Sequence, residues 1–174
     1  MKSTGVTRKI DELGRIVIPK EIRRNLGIRD GENLEIFTDE DNIILKKHSH
    51  IRKYEDLGVK LGNLISKIFN VDTIITDREK VIASSTSKEL VNKILDNKLI
   101  CLIDNRESFI GKIEKTYTFG EIQVKGYFTI IPIISESDSL GLIIIRSNDD
   151  TNYEKLAKLM VQIMVEKINL ANFS

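Results

Sequence analysis

Turn-forming residues divide the first fifty residues into short segments, which restricts this part of the chain to a small, turn-rich module. Gly14, after Asp-Glu-Leu, predicts a hairpin turn between two strands at residues 4–10 and 15–18. Pro19 suits the first turn of a short helix that reaches Leu26, and Gly27 suits its left-handed cap. These residues predict a strand–turn–strand unit followed by a two-turn helix.

A second hairpin is predicted directly after that helix. The pair Asp30-Gly31 is typical of a tight turn, and residues 33–38 and 42–47 have the β-branched and alternating character of strands. The order of the module is therefore ββαββ. Because even a 60-residue domain buries only about 60% of its unfolded surface, fifty residues are expected to dimerise. A two-fold dimer would present each basic residue twice and would match pseudo-palindromic DNA.

Charge is segregated along this module, although the whole chain of 174 residues has a net charge of only +1. Eight basic residues stand against three acidic ones between Met1 and Arg29. Six acidic residues and no lysine or arginine follow between Asp30 and Asp41. The two kinds of charge should occupy different faces after folding, and a basic face favours a polyanionic partner.

The polar stretch at residues 48–54 is interpreted as a linker, which gives domains at residues 1–50 and 51–174. Apolar spacing predicts a helix at residues 54–68, and Thr86 with Glu89 and Thr151 with Glu154 predict capping boxes for two more. The predicted helices end near residues 68, 96 and 171. The predicted strands are residues 71–76, 81–85, 99–103, 128–135 and 140–147.

The last predicted helix has an apolar stripe too wide for one sheet face to cover. We therefore expect it to form an intersubunit bundle with the helix at residues 54–68, which would give a tetramer or larger assembly. The stripe contains Leu156, Leu159, Met160, Val161, Ile163, Met164, Val165, Ile168 and Leu170.

Several classes of function are disfavoured by what the sequence contains. Cys101 is the only cysteine, lies in an apolar run and is expected to be buried, and no disulfide can form within the chain. His48 and His50 have no third ligand cluster nearby, so no metal site is predicted. No phosphate-binding glycine motif, nucleophile elbow, secretory signal or membrane span is present, which predicts a cytoplasmic protein without cofactor or catalysis.

The stretch MKSTGVTRKIDELGRIVIPKEIRRNLGI, followed by LEIF and IILKK, closely resembles the AbrB family of DNA-binding transition-state regulators. The resemblance covers the whole first module and implies a swapped-hairpin dimeric β-barrel. The length and element order of the rest resemble the longer sporulation regulators of that family, whose second domain is GAF-like. The expected fold class is therefore α+β, with a swapped-hairpin barrel followed by a GAF-like α/β/α domain.

The resemblance also implies a set of DNA contacts. Arginines that match Arg8, Arg15, Arg23 and Arg24 contact DNA in the family, and Lys9 matches a further basic position. Arginine suits this role because its planar fork binds phosphate or guanine through two hydrogen bonds. The alternative interpretation is that these residues are solvated surface charges without a partner.

The role of the second domain is left open by its sequence. GAF domains often bind a small molecule between sheet and helices, so a ligand of unknown identity and a purely oligomerising domain are both retained. Cyclic nucleotides are disfavoured because Asn92-Lys93 and Phe109 occur without the Asp-Glu pair that follows in such members.

The sequence thus favours a regulator of sporulation genes that binds double-stranded promoter DNA as a homo-oligomer, in the cytoplasm and specifically in the forespore. Two alternative functions are less favoured. An antitoxin that binds a toxin and autoregulates its operon shares the fold of the first module, but typically has a disordered tail where this chain has a packed domain. An enzyme built on the second domain would need a catalytic constellation, which the sequence lacks.

Overall fold

The computed structural model describes residues 4–28, 30–31, 34–47 and 49–172. The chain divides into two compact units, Met1–His48 and Ser49–Ser174. The division lies two residues before the boundary predicted from the sequence. Each unit is described separately below.

The first unit contains one short helix and one hairpin. Helix α1 comprises Lys20–Asn25 and begins directly after Pro19, and Gly27 adopts the left-handed conformation with φ of 62°. Strands β1 (Leu34–Asp39) and β2 (Asn42–Lys47) pair antiparallel along their whole length. The predicted helix and second hairpin are confirmed.

The first predicted hairpin forms its turn but not its strands. The Asp11 N–H donates to the Arg15 carbonyl at 3.0 Å, the Gly14 N–H donates to the Asp11 carbonyl at 2.9 Å, and Gly14 has φ of 75°. Residues 4–11 and 15–19 form no β-ladder within the described chain. The predicted strands are therefore wrong for the single chain. A strand requires neighbouring backbone donors and acceptors, and the described part of this unit offers them none beyond the turn.

None of the described residues of the first unit is buried. Val17 is 73% exposed and Ile43 is 71% exposed, although β-branched apolar residues normally lie inside a protein. Ile10, Leu13 and Ile36 are exposed to a similar extent. The described residues of a single copy of this unit therefore form no hydrophobic core.

The second unit is a mixed helix and strand domain. It begins with a 3-10 helix at His50–Tyr54 and has a second one at Lys88–Leu90. Its longer helices are α2 (Glu55–Phe69), α3 (Asn97–Asn105) and α4 (Glu154–Asn172). Its strands are β3 (Asp72–Thr76), β4 (Val81–Ser84), β5 (Phe109–Ile110), β6 (Lys115–Phe119), β7 (Ile122–Ser135) and β8 (Asp138–Ser147).

An antiparallel sheet forms the middle layer of this unit, in the order β4-β3-β8-β7-β5, with β6 paired to the first part of β7. Alternate residues of β8 face opposite sides, as the pleat requires. Ile143 and Ile145 pack with α2 and α4, whereas Leu142 and Ile144 pack with α3. The predicted pair of central strands, the α/β/α layering and the α+β class are confirmed.

The segment between β4 and β5 differs from the prediction. Residues 88–90 form only a 3-10 turn where a helix to residue 96 was expected, and residues 97–105 form a helix where a strand at 99–103 was expected. The Asp96 side chain accepts the Lys98 N–H at 2.8 Å and so caps α3. Leu99 and Ile103, four residues apart, point into the core. Cys101 lies between them on the opposite face and is exposed, so its predicted burial is wrong.

The predicted linker also differs, because most of it belongs to the second unit. Ile51 is fully buried in the core between the sheet and helices α2 and α4. The Arg52 Nε donates to Asp77 Oδ2 at 2.8 Å, and Asp77 Oδ1 accepts the N–H groups of Glu79 and Lys80. Ile51, the partly buried Tyr54 and one ion pair therefore attach a segment that is otherwise polar.

The final helix begins and ends close to its prediction, but Asn152 replaces Thr151 as the capping residue. Asn152 Oδ1 accepts the Glu154 N–H at 2.8 Å, while Thr151 donates its own N–H to Asp149. Within the described residues, no helix combines the length and the apolar character needed to cross a bilayer.

Candidate nucleic-acid interface

The five residues predicted to contact DNA all lie in the first unit. Arg8 and Lys9 precede the turn at Gly14, Arg15 follows it, and Arg23 and Arg24 are adjacent near the end of α1. Four of the five side chains are exposed, and Arg23 is partly buried. The structure thus leaves this group of cations accessible to a large partner.

Arg15 is held by Asp11 across the turn. Asp11 Oδ1 accepts the backbone N–H of Leu13 at 3.0 Å and that of Arg15 at 2.8 Å, and Asp11 Oδ2 accepts the Arg15 Nε at 2.7 Å. The backbone hydrogen bond from Arg15 is the largest effect that lowers the pKa of Asp11 below its ordinary value, and the Arg15 side chain adds to it. Asp11 therefore stays ionised into acid solution.

Arg23 also has a carboxylate partner. Its Nη1 donates to Asp30 Oδ1, and Asp30 itself is 90% exposed. The Arg23 Nε is buried and has no hydrogen-bond partner among the described residues. Because an exposed ion pair contributes only about 0–1 kcal/mol, Arg23 can exchange Asp30 for a phosphate oxygen.

The remaining three cations are less engaged. Within the described part of the chain, Arg8 Nη1 donates only to the carbonyl of its neighbour Thr7, at 3.2 Å. Lys9 and Arg24 have no hydrogen bond or ion pair with the described residues of the chain. Exposed, weakly paired guanidinium and ammonium groups can each neutralise a phosphate, and the arginines can also read guanine.

No sequence pattern pointed to Asp11 and Asp30 as partners of the cations, yet the structure places them against two of the five. The signal for Asp11 was its position four residues before Arg15 in a turn, a spacing that brings the two side chains together only when the turn closes. Among the described residues, no three His, Cys, Asp or Glu side chains could hold a metal ion. His48 lies outside the described residues, and only the backbone of His50 is described.

In the second unit, the side chains between the sheet and α3 are apolar. Leu99, Ile103, Phe119 and Phe128 are buried there, and Phe128 lies edge-to-face with Tyr117 at 4.8 Å between ring centroids. Lys93, for which the sequence disfavoured a nucleotide contact, forms an ion pair with Glu121 at 2.8 Å. This side of the sheet is built as a packed core.

Two family models match the chain, one for each unit. Residues 7–53 match the family described as antidote-toxin recognition MazE, bacterial antitoxin. Residues 54–167 match the family described as stage V sporulation protein T C-terminal, transcription factor. The second match covers more than half of the chain, and this chain is therefore a transcription factor.

Individual relatives agree with the family models. Stage V sporulation protein T of Bacillus subtilis (strain 168) is 38% identical over 156 residues, which are 87% of this chain and 88% of that protein. The chain belongs to the stage V sporulation protein T family of transcription regulators. The transition state regulatory protein AbrB of the same organism is 62% identical over 48 residues, which are 28% of this chain and 50% of that protein.

A solved structure matches the first unit alone. It is the N-terminal DNA recognition domain of the Bacillus subtilis transition-state regulator AbrB, 62% identical, covering 28% of this chain and 91% of that chain with a TM-score of 0.24. The AbrB-like character of the first unit, expected from the sequence, is confirmed by the identity of these relatives.

Proposed function

We propose that this regulator binds the promoter DNA of sporulation genes and activates or represses them by occupying the site as a symmetric oligomer. Its contacts are Arg8, Lys9, Arg15, Arg23 and Arg24. The observation that carries the proposal is the group of exposed, weakly paired cations in a unit so similar to a DNA recognition domain. The site of action is the cytoplasm, on the nucleoid of the forespore.

Dimerisation through the first unit is supported by its exposed apolar surface. Val17 and Ile43 stay exposed in a single copy, and residues 4–11 and 15–19 lack strand partners within the described chain. A second copy can supply both the strand partners and the apolar contacts, because exchanged hairpins would pair the strands and cover the apolar side chains. The dimer would be the swapped-hairpin barrel, and it would present ten of the named cations to DNA.

Wild-type binding to promoter DNA should be strongly salt-dependent. Each phosphate contact contributes about 0.9 to the slope of log K against log salt, so ten contacts predict a slope of about −9 and six predict about −5. Fluorescence anisotropy with a labelled duplex over a salt series measures this slope. A slope near zero, or no binding at physiological salt, would reject the proposed function.

The second unit is proposed to extend the dimer to a tetramer through α2 and α4. Leu64 and Ile68 on α2 and Leu159 on α4 are all more than half exposed, which favours burial against another subunit. Sedimentation should therefore report a tetramer for the wild type and a dimer for Leu159→Lys. Ile113→Lys is the matched control, since it adds the same charge in place of an exposed apolar side chain outside α2 and α4 and should leave the tetramer intact. A strict wild-type dimer would contradict the bundle.

A ligand-sensing role and a purely oligomerising role for the GAF-like second unit are both compatible with this proposal. The apolar packing beneath α3 favours oligomerisation, or a ligand that is itself apolar. Thermal unfolding with candidate metabolites distinguishes them, because a ligand of the folded state raises the unfolding temperature.

A second candidate function is an antitoxin module, since the first unit matches the MazE family model. The second unit, which is a packed domain and matches a transcription-factor family, favours the regulator. An antitoxin should restore growth to cells that express its toxin, whereas a regulator should not. The relatives found here are transcription regulators, so catalysis forms no part of the proposal.

A further inference from the structure

Asp11 places a negative charge among the cations that are proposed to meet DNA. We propose that Asp11 is a positioning residue for DNA recognition, which fixes the Arg15 guanidinium and thereby favours the preferred sequence over random DNA. This inference rests on the proposed function, because it assumes that Arg15 contacts DNA. The inference goes beyond the proposed function because it assigns a role in discriminating between DNA sequences to a carboxylate that itself cannot bind phosphate.

Both oxygens of Asp11 are used within the turn. Oδ1 accepts two backbone N–H groups, which fixes the carboxylate relative to the main chain, and Oδ2 accepts the Arg15 Nε at 2.7 Å. The guanidinium has five N–H donors in a rigid plane, and Asp11 occupies the one on Nε. Arg15 can therefore present only the end of its fork, Nη1 and Nη2, to DNA. The side-on approach through Nε is closed to any other acceptor.

This arrangement has opposite effects on affinity and on discrimination. A carboxylate near the phosphates weakens binding to every duplex alike, because the repulsion does not depend on sequence. A guanidinium that is oriented before binding loses less conformational entropy when it pairs with a base, and that gain occurs only where the correct base is present. Asp11 should therefore reduce general affinity and increase the preference for the correct site.

The neighbouring Glu12 provides a matched comparison. Glu12 is exposed and forms no hydrogen bond or ion pair with the described residues, although it carries the same charge one position away. Replacing Asp11 by asparagine retains an Oδ1 acceptor for the Leu13 and Arg15 N–H groups but places an amide, which donates, opposite the Arg15 Nε. Asp11→Asn and Glu12→Gln thus remove equal charge, and only the first releases Arg15.

The experiment measures affinity for two duplexes of equal length: one selected by the wild type from a random pool, and one of random sequence. Both variants should bind the random duplex about threefold more tightly than the wild type. Only Asp11→Asn should lower the ratio of selected to random affinity, by roughly tenfold, since a base contact has a large effect on discrimination. In an Arg15→Ala background, Asp11→Asn should leave the ratio unchanged.

The proposal would be overturned by equal ratios for Asp11→Asn and Glu12→Gln, or by a lowered ratio that persists without Arg15. A wild type that binds DNA without any preference would overturn it too, whereas a wild type that binds no DNA would reject the proposed function instead.

The contact between Asp11 and Arg15 can also be tested on the wild type alone. The Arg15 Nε–H signal should exchange slowly with water in mildly acidic solution, and fast exchange would show that Asp11 does not hold it.

Discussion

The chain with both Arg23→Ala and Arg24→Ala should lose DNA binding at physiological salt and keep its fold. A base or phosphate contact from arginine is worth about 1 kcal/mol or more, and a dimer loses two contacts from each copy. The total of about 4 kcal/mol corresponds to a thousandfold loss of affinity. The salt slope should also become shallower by about 0.9 for each phosphate contact removed.

The fold should survive this change because α1 buries none of its residues and alanine is the best helix former. The ion pair between Arg23 and Asp30 is exposed on the Asp30 side, so its loss costs about 1 kcal/mol at most. Lys98→Ala is the control, since it removes an exposed cation from α3 in the second unit and should bind as wild type does. Wild-type affinity in the double variant would show that these two arginines do not form the interface.

Phe128→Ala should destabilise the second unit by about 3–5 kcal/mol, the usual cost of removing a buried phenylalanine ring. Phe128 is 1% exposed, and its ring packs edge-to-face on Tyr117 between the sheet and α3. The cavity would lie in the middle of a core of leucine, β-branched and aromatic side chains, whose close packing leaves them little freedom to fill it.

Denaturant unfolding followed by tyrosine fluorescence measures this effect. The chain has no tryptophan and all four of its tyrosines lie in the second unit, so the signal reports on that unit alone. Ile113→Ala is the comparison, because Ile113 is 74% exposed and should cost little. A loss below about 1 kcal/mol for Phe128→Ala would mean that this core is not packed as described.

The long, regular elements of the second unit could be predicted because their patterns extend over many residues. Strands β7 and β8 have continuous apolar runs, and α2 and α4 have helical apolar spacing over three turns or more. The five residues at 99–103 are apolar throughout, which fits a strand and a buried helix equally well. The side chain of Asp96, which caps the helix that begins at Asn97, distinguishes the two.

The candidate site could be predicted only in part, for a physical reason. Its cations were identified through a resemblance in the sequence, because exposed arginines have no periodic pattern of their own. Whether a carboxylate reaches Arg15 or Arg23 depends on how a turn and a loop close. The identity of single residues does not reveal that geometry. The burial of Ile51 was missed for a related reason: one apolar residue in a polar stretch gives no pattern.

The exposed Cys101 is a natural labelling site for spectroscopy. It is the only thiol in the chain, and it lies on α3, across the sheet from the helices proposed to join subunits. One spin label per protomer can therefore be attached without altering the sequence. Pulsed dipolar spectroscopy would then give a single label-to-label distance for a two-fold dimer and several for a four-subunit assembly.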